Sequence, residues 1–492
     1  MNWARFDRYA LRVRRLYHDE SKRKYIDDSV WGDILRARPM PRVDLLPNLQ
    51  SLLWHAVCSP RQHWSVLFVH GKVQRLSIQL HLSPSLPAYV ESLLQRTCHF
   101  TELELKSEDP MRDLEPHVLP LLGCQTLQRV VAPMFFFTST FFNRLSRCPE
   151  LRTISLSKPV EQGVGDRMDV AFFSPGLEED SFPVLERLSF SAHVLHATHF
   201  LRAKFSPRNI SYLYINVIAV DGPQVVHELL STVADTCKVL TELHVDFVIS
   251  PDAPLIYPPP PLADRPNIEV FRPLFSCRSL TRFEFRWDYQ MNVTQEDIEE
   301  LASSWPSMEV FLFNCQPIPE DIYPILTLEA LIPFAQYCPN LRELGLYLNA
   351  LEIPSTFTYP NTSPLPAFKS LQKLSVGASC VSHVEPIALF LSQLCPLGCE
   401  IISGVRWPDA YGIALDQLGI MDHRRLKMTE WWVRWGDVSK VLPLATKARM
   451  EERGRMVEMK KKMDDFMSCL SGRATAGELQ QELDNLRIRW GM

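Results

Sequence analysis

The chain has 492 residues, 46% of them apolar and 22% charged, with a formal net charge of −5. Those proportions belong to globular proteins and exclude a wholly disordered, collagen-like or silk-like chain. Thirty-eight prolines against eighteen glycines point to many short elements separated by rigid turns, and away from glycine-rich phosphate loops.

The charge is unevenly spread. Residues 1–42 carry 11 Lys+Arg against 6 Asp+Glu and residues 447–492 carry 10 against 8, which leaves −12 on the middle. An acidic centre is poorly suited to a phosphate backbone, whose binding depends on Lys and Arg displacing counterions, so nucleic acid is not expected as a partner. Twelve cysteines are scattered singly, several just before proline (Cys148-Pro149, Cys338-Pro339, Cys395-Pro396), which reads as free thiols in a reducing compartment rather than a disulfide framework. The N-terminus lacks an apolar signal core, and the greasiest run, Ala132–Phe142, is too short to span a bilayer. A soluble protein of the cytoplasm and/or nucleus is expected, without a membrane partner. Three N-x-S/T triplets, at Asn209, Asn292 and Asn361, then have no part to play.

Taken in chain order, residues 1–42 form a basic, aromatic-bearing segment. A helix is predicted through Phe6–Leu16, with Phe6, Tyr9, Val13 and Leu16 on one face, capping the first repeat. From 43 to 406 one unit recurs: an apolar residue, two variable ones, an apolar residue, one variable one and a third apolar residue. Clear copies are Leu151/Ile154/Leu156, Leu185/Leu188/Phe190, Leu240/Leu243/Val245, Leu280/Phe283/Phe285, Leu341/Leu344/Leu346 and Leu371/Leu374/Val376; looser ones begin at Leu49, Val73, Phe100, Leu127, Ile210, Met308 and Cys399. Steps of 24 to 40 residues separate these starts. The period-2 alternation at the end of each unit predicts a short strand with one buried face. The intervals, such as Pro87–Leu94, Gln224–Leu230 and Thr294–Leu301, space apolar residues as helices do. No unit can bury both its strand face and its helix face alone, so neighbours must stack. The expected fold is α/β: an irregular leucine-rich-repeat solenoid, with a curved parallel sheet on the concave side, helices on the convex side and a C-terminal helical tail. Asparagine at the ladder position after the strand is mostly missing, Asn349 being the clearest case, and the proline-rich stretches Pro251–Pro266 and Pro354–Pro366 read as loops leaving the array. After the repeats, residues 407–443, with Trp431-Trp432-Val433-Arg434-Trp435, are expected as a C-terminal cap. Residues 444–492 are expected as charged helices in which Met456, Met459 and Met463 form a packing stripe.

No spacing in the sequence matches a nucleotide loop, a nucleophile elbow, a zincin motif or a paired C-x-x-C. Gly163-Val164-Gly165 is a lone fragment. His193, His196 and His199 read as a polar helix face, and Cys395 with Cys399 as core or turn cysteines. No catalytic, cofactor or metal residue is predicted, and the chain is expected not to be an enzyme. On the solenoid, the variable positions between and after the strand leucines face the concave surface: Glu104, Lys106, Tyr214, Asn216, His244, Asp246, Glu284, Arg286, Asn314 and Tyr347. Their mix of charge and aromatic rings suits a protein interface.

The Cys-Pro-x-Leu-Arg units (Cys148–Leu156, Cys338–Leu346), the opening Trp3–Arg14 and the close Gly398-Cys399-Glu400 with Gly404–Trp407 resemble fungal (basidiomycete-type) F-box proteins with leucine-rich repeats. The resemblance implies a recognition module similar to the substrate-binding part of an F-box ubiquitin-ligase receptor, binding a protein that is ubiquitinated. The first residues match the segment that normally follows the F-box, and no Leu-Pro-x-Glu opening is present, so a Skp-type adaptor is expected as a partner only if an F-box lies upstream. The alternative is a leucine-rich-repeat scaffold with no ubiquitin-ligase role, dimerising through the C-terminal helix.

Overall fold

The computed structural model describes residues 3–21, 27–37, 44–97, 99–157, 165–219, 222–247, 259–318, 320, 322–352, 365–404 and 422–471. Its strands are β1 (Arg15–Asp19), β2 (Ser51–His55), β3 (Arg75–Gln79), β4 (Glu102–Lys106), β5 (Arg129–Ala132), β6 (Thr153–Leu156), β7 (Arg187–Ala192), β8 (Tyr212–Val217), β9 (Glu242–Phe247), β10 (Arg282–Phe285), β11 (Val310–Phe313), β12 (Glu343–Leu346), β13 (Asn349–Ala350), β14 (Lys373–Gly377), β15 (Cys380–Val381) and β16 (Glu400–Ser403). Fourteen of them form one sheet whose order follows the chain, with β13 and β15 making a separate two-stranded ladder. Every pairing is parallel, which forces a crossover between successive strands. Most of these crossovers are helices or helical turns, including Leu86–Arg96, Met111–Val118, Val194–Arg202, Pro223–Thr236, Gln295–Ser304 and Val384–Leu394. The chain is a leucine-rich-repeat solenoid, as the repeats predict.

Register makes the repeat physical. The middle apolar residue of each unit pairs with the next in one row, through Leu16, Leu52, Leu76, Leu103, Val130, Ile154, Leu188, Leu213, Leu243, Phe283, Phe311, Leu344, Leu374 and Ile401. All but Leu16 are buried in a continuous core. Just before each strand the backbone repeats a second pattern: the carbonyl of Gln50 accepts from Gln74 N–H and Arg75 N–H, that of Gln74 from Thr101 and Glu102, and so on to Gln372 and Glu400. These bonds satisfy the backbone polar groups at every turn into the sheet. The expected helix Gln295–Ser304 carries a full capping box, Thr294 and Asp297 each accepting from the other's N–H.

Three local expectations change. The helix predicted through Phe6–Leu16 stops at Ala10, and Arg15–Asp19 pairs with β2 instead. Val13 and Leu16 are three apart, which fits a helix face and the start of the repeat unit equally well; the third slot of that unit holds His18, whose ring stacks on Trp54 at 4.0 Å. At the other end Ile401, not Ile402, takes the central row opposite Leu374. Asn349 sits on β13, where its side-chain oxygen accepts from Leu351 N–H and the Cys380 thiol. Elsewhere hydroxyls fill the ladder role: Ser107 donates to the Leu80 carbonyl, Ser157 to Ala132 and Ser191 to Met134.

The proline-rich stretch Pro251–Pro266 is described only from residue 259, where Arg265 anchors the returning chain through two bonds to Glu320 of 2.5 and 2.7 Å. Residues 354–364 of the second stretch, Asn361, Gly163-Val164 and Trp407 lie outside the described residues. At the C-terminal end the helix Asp422–Ser471 packs on Val384–Leu394 and β16. Trp435 is wholly buried there and donates from its indole N–H to the Ser379 carbonyl at 3.0 Å. The ten described cysteines are all free thiols. No described helix is long and apolar enough to cross a membrane.

Phe283 lies in the central row, with ring centroids of Trp305 and Phe311 at 5.4 and 5.8 Å. Phe283→Ala is expected to destabilise the array by about 3–5 kcal/mol, read by urea unfolding. Gly377, at φ +50°, is placed so that a Cβ would overlap the Cys315 carbonyl. Gly377→Ala is therefore expected to lower stability by at least ~1–3 kcal/mol in the same measurement.

Candidate functional site

Residues that alternate with the core rows project from the concave face of the sheet. On β8 to β11 this alternation converges on a recess of about 300 Å³ lined by Tyr212, Tyr214, His244, Asp246, Glu284, Arg286, Leu312, Asn314, Cys315 and Gln316, among others. The register explains why: Ser189, Tyr214, His244, Glu284 and Leu312 form one rung across five strands. The rung below runs Arg187, Tyr212, Glu242, Arg282, Val310 and Glu343. Opposite charges on neighbouring strands stabilise such a face, and like charges would splay it.

The polar groups are interlocked. His244 Nδ1 stands 3.1 Å from Glu284 Oε2, and its Nε2 stands 4.0 Å from Glu242 Oε2. Arg282 reaches both acids, at 3.4 Å to Glu242 and 3.0 Å to Glu284. Arg187 donates to Glu242 at 3.3 Å while its guanidinium carbon lies 4.0 Å above the Tyr212 ring. Arg286 pairs with Asp246 at 3.2 Å, and the Tyr214 hydroxyl donates to the same carboxylate at 3.4 Å. Three arginines thus balance three carboxylates, and the His244 ring lies beside both tyrosines, at 5.1 Å from Tyr212 and 6.2 Å from Tyr214.

Burial and pairing act against each other here. Burial pushes the Glu284 carboxyl up, but the hydrogen bond and charge of His244, with Arg282, bring it below its ordinary range. At Asp246 burial wins over Arg286 and Tyr214, and the carboxyl is raised. Burial also raises the Tyr214 phenol well above its ordinary value, with the Asp246 charge adding to it. Arg286 is held more firmly protonated by Asp246. Just beyond it, Asp288 is buried with no partner for Oδ1, and desolvation drives its carboxyl far up.

Of the ten residues expected on the concave face, Tyr214, His244, Asp246, Glu284, Arg286 and Asn314 line this recess. Glu104 lies on β4, in a second hollow of about 210 Å³ with Arg75, Glu102 and Arg129, and Lys106 ends the same strand, half-buried. Tyr347 borders a pit of about 20 Å³ with Met291, Ile325 and Leu326. Asn216 and Asn314 depart from a solvent-facing role. Asn216 is fully buried and donates to Ser191 Oγ. Asn314, at φ +46° and 4% exposed, accepts from Trp287 N–H and donates to the Tyr289 carbonyl. Its amide holds the loop after β10 in place, because a buried backbone group without a partner is costly. Arg187, Tyr212, Glu242 and Arg282 complete the network and were legible as the positions directly before each central apolar residue. Leu312 holds the between-apolar slot that His244 and Glu284 hold on their strands, whereas Cys315 and Gln316 carried no such signal.

No family model matches the sequence, and no characterised relative does. Among solved structures, the leucine-rich-repeat ectodomain of the plant membrane receptor kinase GASSHO1/SCHENGEN3 from Arabidopsis thaliana, in complex with CASPARIAN STRIP INTEGRITY FACTOR 2, matches over 74% of this chain at 13% identity and a TM-score of 0.26. The match takes in 37% of that chain. The solenoid assignment stands on the sheet order and register of this chain, not on that likeness.

Because pairing in the folded state lowers the Glu284 carboxyl, its stabilisation is present above its ordinary value of 4.5 and is lost as pH falls through the folded value. Thermal melting of Glu284→Gln against the parent chain is expected to show a deficit near pH 7 that shrinks below about pH 4. An unchanged difference across that range would contradict the pairing.

Proposed function

We propose that the chain is a non-catalytic recognition module that holds a protein partner on its concave face, with the recess over β8–β11 as the principal contact. The observation that carries this reading is the convergence of Tyr212, Tyr214, His244, Asp246, Glu284 and Arg286 on one hollow. Tyrosine and arginine are the residue types that most often dominate binding energy, and here they sit partly desolvated and held by their neighbours, so little side-chain freedom is lost on binding. A long open sheet face also favours an extended partner over a small substrate, which needs an enclosed cavity.

The finer reading is that this module is similar to the substrate-binding part of an F-box ubiquitin-ligase receptor, acting in the cytoplasm or nucleus. It is supported by the Cys-Pro-x-Leu-Arg units at Cys148–Leu156 and Cys338–Leu346. In the same reading the N-terminal helix Trp3–Ala10, ahead of β1, and the packed first half of the helix Asp422–Ser471 act as the two caps of the repeat array.

Capture from the source cell extract with the parent chain and with Tyr214→Ala/Arg286→Ala, compared by mass spectrometry, tests both levels. A partner held by the parent and reduced by about tenfold or more with the double variant supports the recess, since losing two central contacts typically removes more than ~1.4 kcal/mol. A partner captured equally by both chains contradicts it. A Skp-type adaptor and cullin recovered alongside support the receptor reading, and their consistent absence beside a recess-dependent partner favours the scaffold.

A further inference from the structure

Three side chains at the N-terminal end of the sheet form a relay that the recess over β8–β11 does not use. His55 Nε2 lies 2.9 Å from Ser77 Oγ, and its Nδ1 stands 3.7 Å from Asp19 Oδ2. Asp19, His55 and Ser77 are only 3%, 3% and 7% exposed. Register brings them together: Asp19 on β1 pairs with His55 on β2, while Leu53, two residues earlier on β2, pairs with Ser77 on β3. Alternation along the strands therefore puts all three on the concave face.

The direction of the relay follows from charge. The Asp19 carboxylate accepts from the Tyr17 hydroxyl at 3.0 Å and from the Ser21 N–H and hydroxyl at 3.1 and 2.6 Å. Burial pushes that carboxyl up, but the bonds from Ser21 and Tyr17 outweigh it and hold it below its ordinary value, so Asp19 is an anion at neutral pH. An anion facing Nδ1 favours the tautomer that carries its ring proton there, which leaves Nε2 to accept the Ser77 hydroxyl proton. An alcohol bonded to a base that a carboxylate orients is the arrangement that makes its oxygen nucleophilic.

The serine also has space in front of it. Ser77 lines the hollow of about 210 Å³ over β2–β5, with apolar Leu53 and Val131 and with Arg75 and Arg129, which is room for a short acyl group. What the site lacks is a cradle for repeated chemistry. β3 is paired on both sides, so the backbone N–H groups around Ser77 are taken up by the ladder and none is aimed at a developing oxyanion.

We propose that Ser77 is an activated nucleophile that accepts a short acyl group from an activated carboxylic ester, with His55 as its base and Asp19 as the residue that positions His55. Ser77 Oγ bonds to the carbonyl carbon, and the bond from that carbon to the leaving oxygen breaks with its electron pair on the oxygen. The hydroxyl proton passes to His55 Nε2 and on to the leaving oxygen, so nothing is oxidised or reduced. The reaction stops at one acyl group per chain, which adds a covalent modification site to the recognition module, at a place separate from its recess.

Treatment of the full chain with p-nitrophenyl acetate, followed by peptide mass spectrometry, tests this. Ser155 holds the same slot on β6 and is half-buried, which makes it the internal reference. Ser77 is expected to acetylate about a hundredfold faster than Ser155 and to lose that advantage in His55→Gln, the factor typical of a positioned base. Circular dichroism melting checks that the variant folds. The parent chain in urea gives a second comparison that needs no variant: activation requires Ser77 to react faster folded than unfolded. For Asp19, nitrogen-15 spectra of the histidines are expected to show the His55 proton on Nδ1 in the parent and on Nε2 in Asp19→Asn, a change that a purely structural carboxylate would not produce. Ser77 acetylating no faster than Ser155, or equally fast in folded His55→Gln or in urea, overturns the proposal.

Discussion

The structure depends on one constraint: each repeat supplies one apolar residue to a single in-register row, and that row can be buried only if the next repeat supplies its own. From Leu16 to Ile401 the row crosses fourteen strands, with β13 and β15 lying outside it. Because side chains alternate along a strand, fixing this row on the inside fixes the flanking rungs on the outside. The polar network of the concave face is therefore a by-product of core register. A slip of one residue at β9 would send His244 and Asp246 inward and Leu243 and Val245 into solvent.

That dependence explains which parts of the molecule the sequence discloses. The apolar triplets are local, and the core they form is built by nearest neighbours, so strands from Leu49 onward can be read without knowing what they touch. β1 escapes the reading because His18 occupies an apolar slot by stacking on Trp54, an arrangement visible only once the partner strand is in place. The last strand is offset by one from the repeat spacing, with Ile401 rather than Ile402 opposite Leu374. Asn216 shows a different limit. Its parity places it beside Asp246, yet it is wholly buried and bonded to Ser191, and pattern alone does not tell an exposed rung position from a buried one. Cys315 and Gln316, just past the end of β11, reach the recess with no periodic signature at all.

Charge on the concave face is similarly a matter of neighbours rather than totals. The acidic middle of the chain suggests an acidic surface, but at the recess Arg187, Arg282 and Arg286 meet Glu242, Glu284 and Asp246 one for one. A balanced, pre-ordered network of this kind sets orientation and specificity more than raw attraction. Beside it Asp288 is buried with no partner for Oδ1, and burial drives its carboxyl far up.

The central claim is that recognition takes place on the recess over β8–β11. Hydroxyl-radical footprinting of the full chain, free and with its captured partner, tests it directly. The added protection is expected to fall on Tyr212, Tyr214 and His244 while the helices of the convex side are unchanged. Protection confined to the convex helices or to the C-terminal helix, with the recess tyrosines as reactive as before, would contradict it.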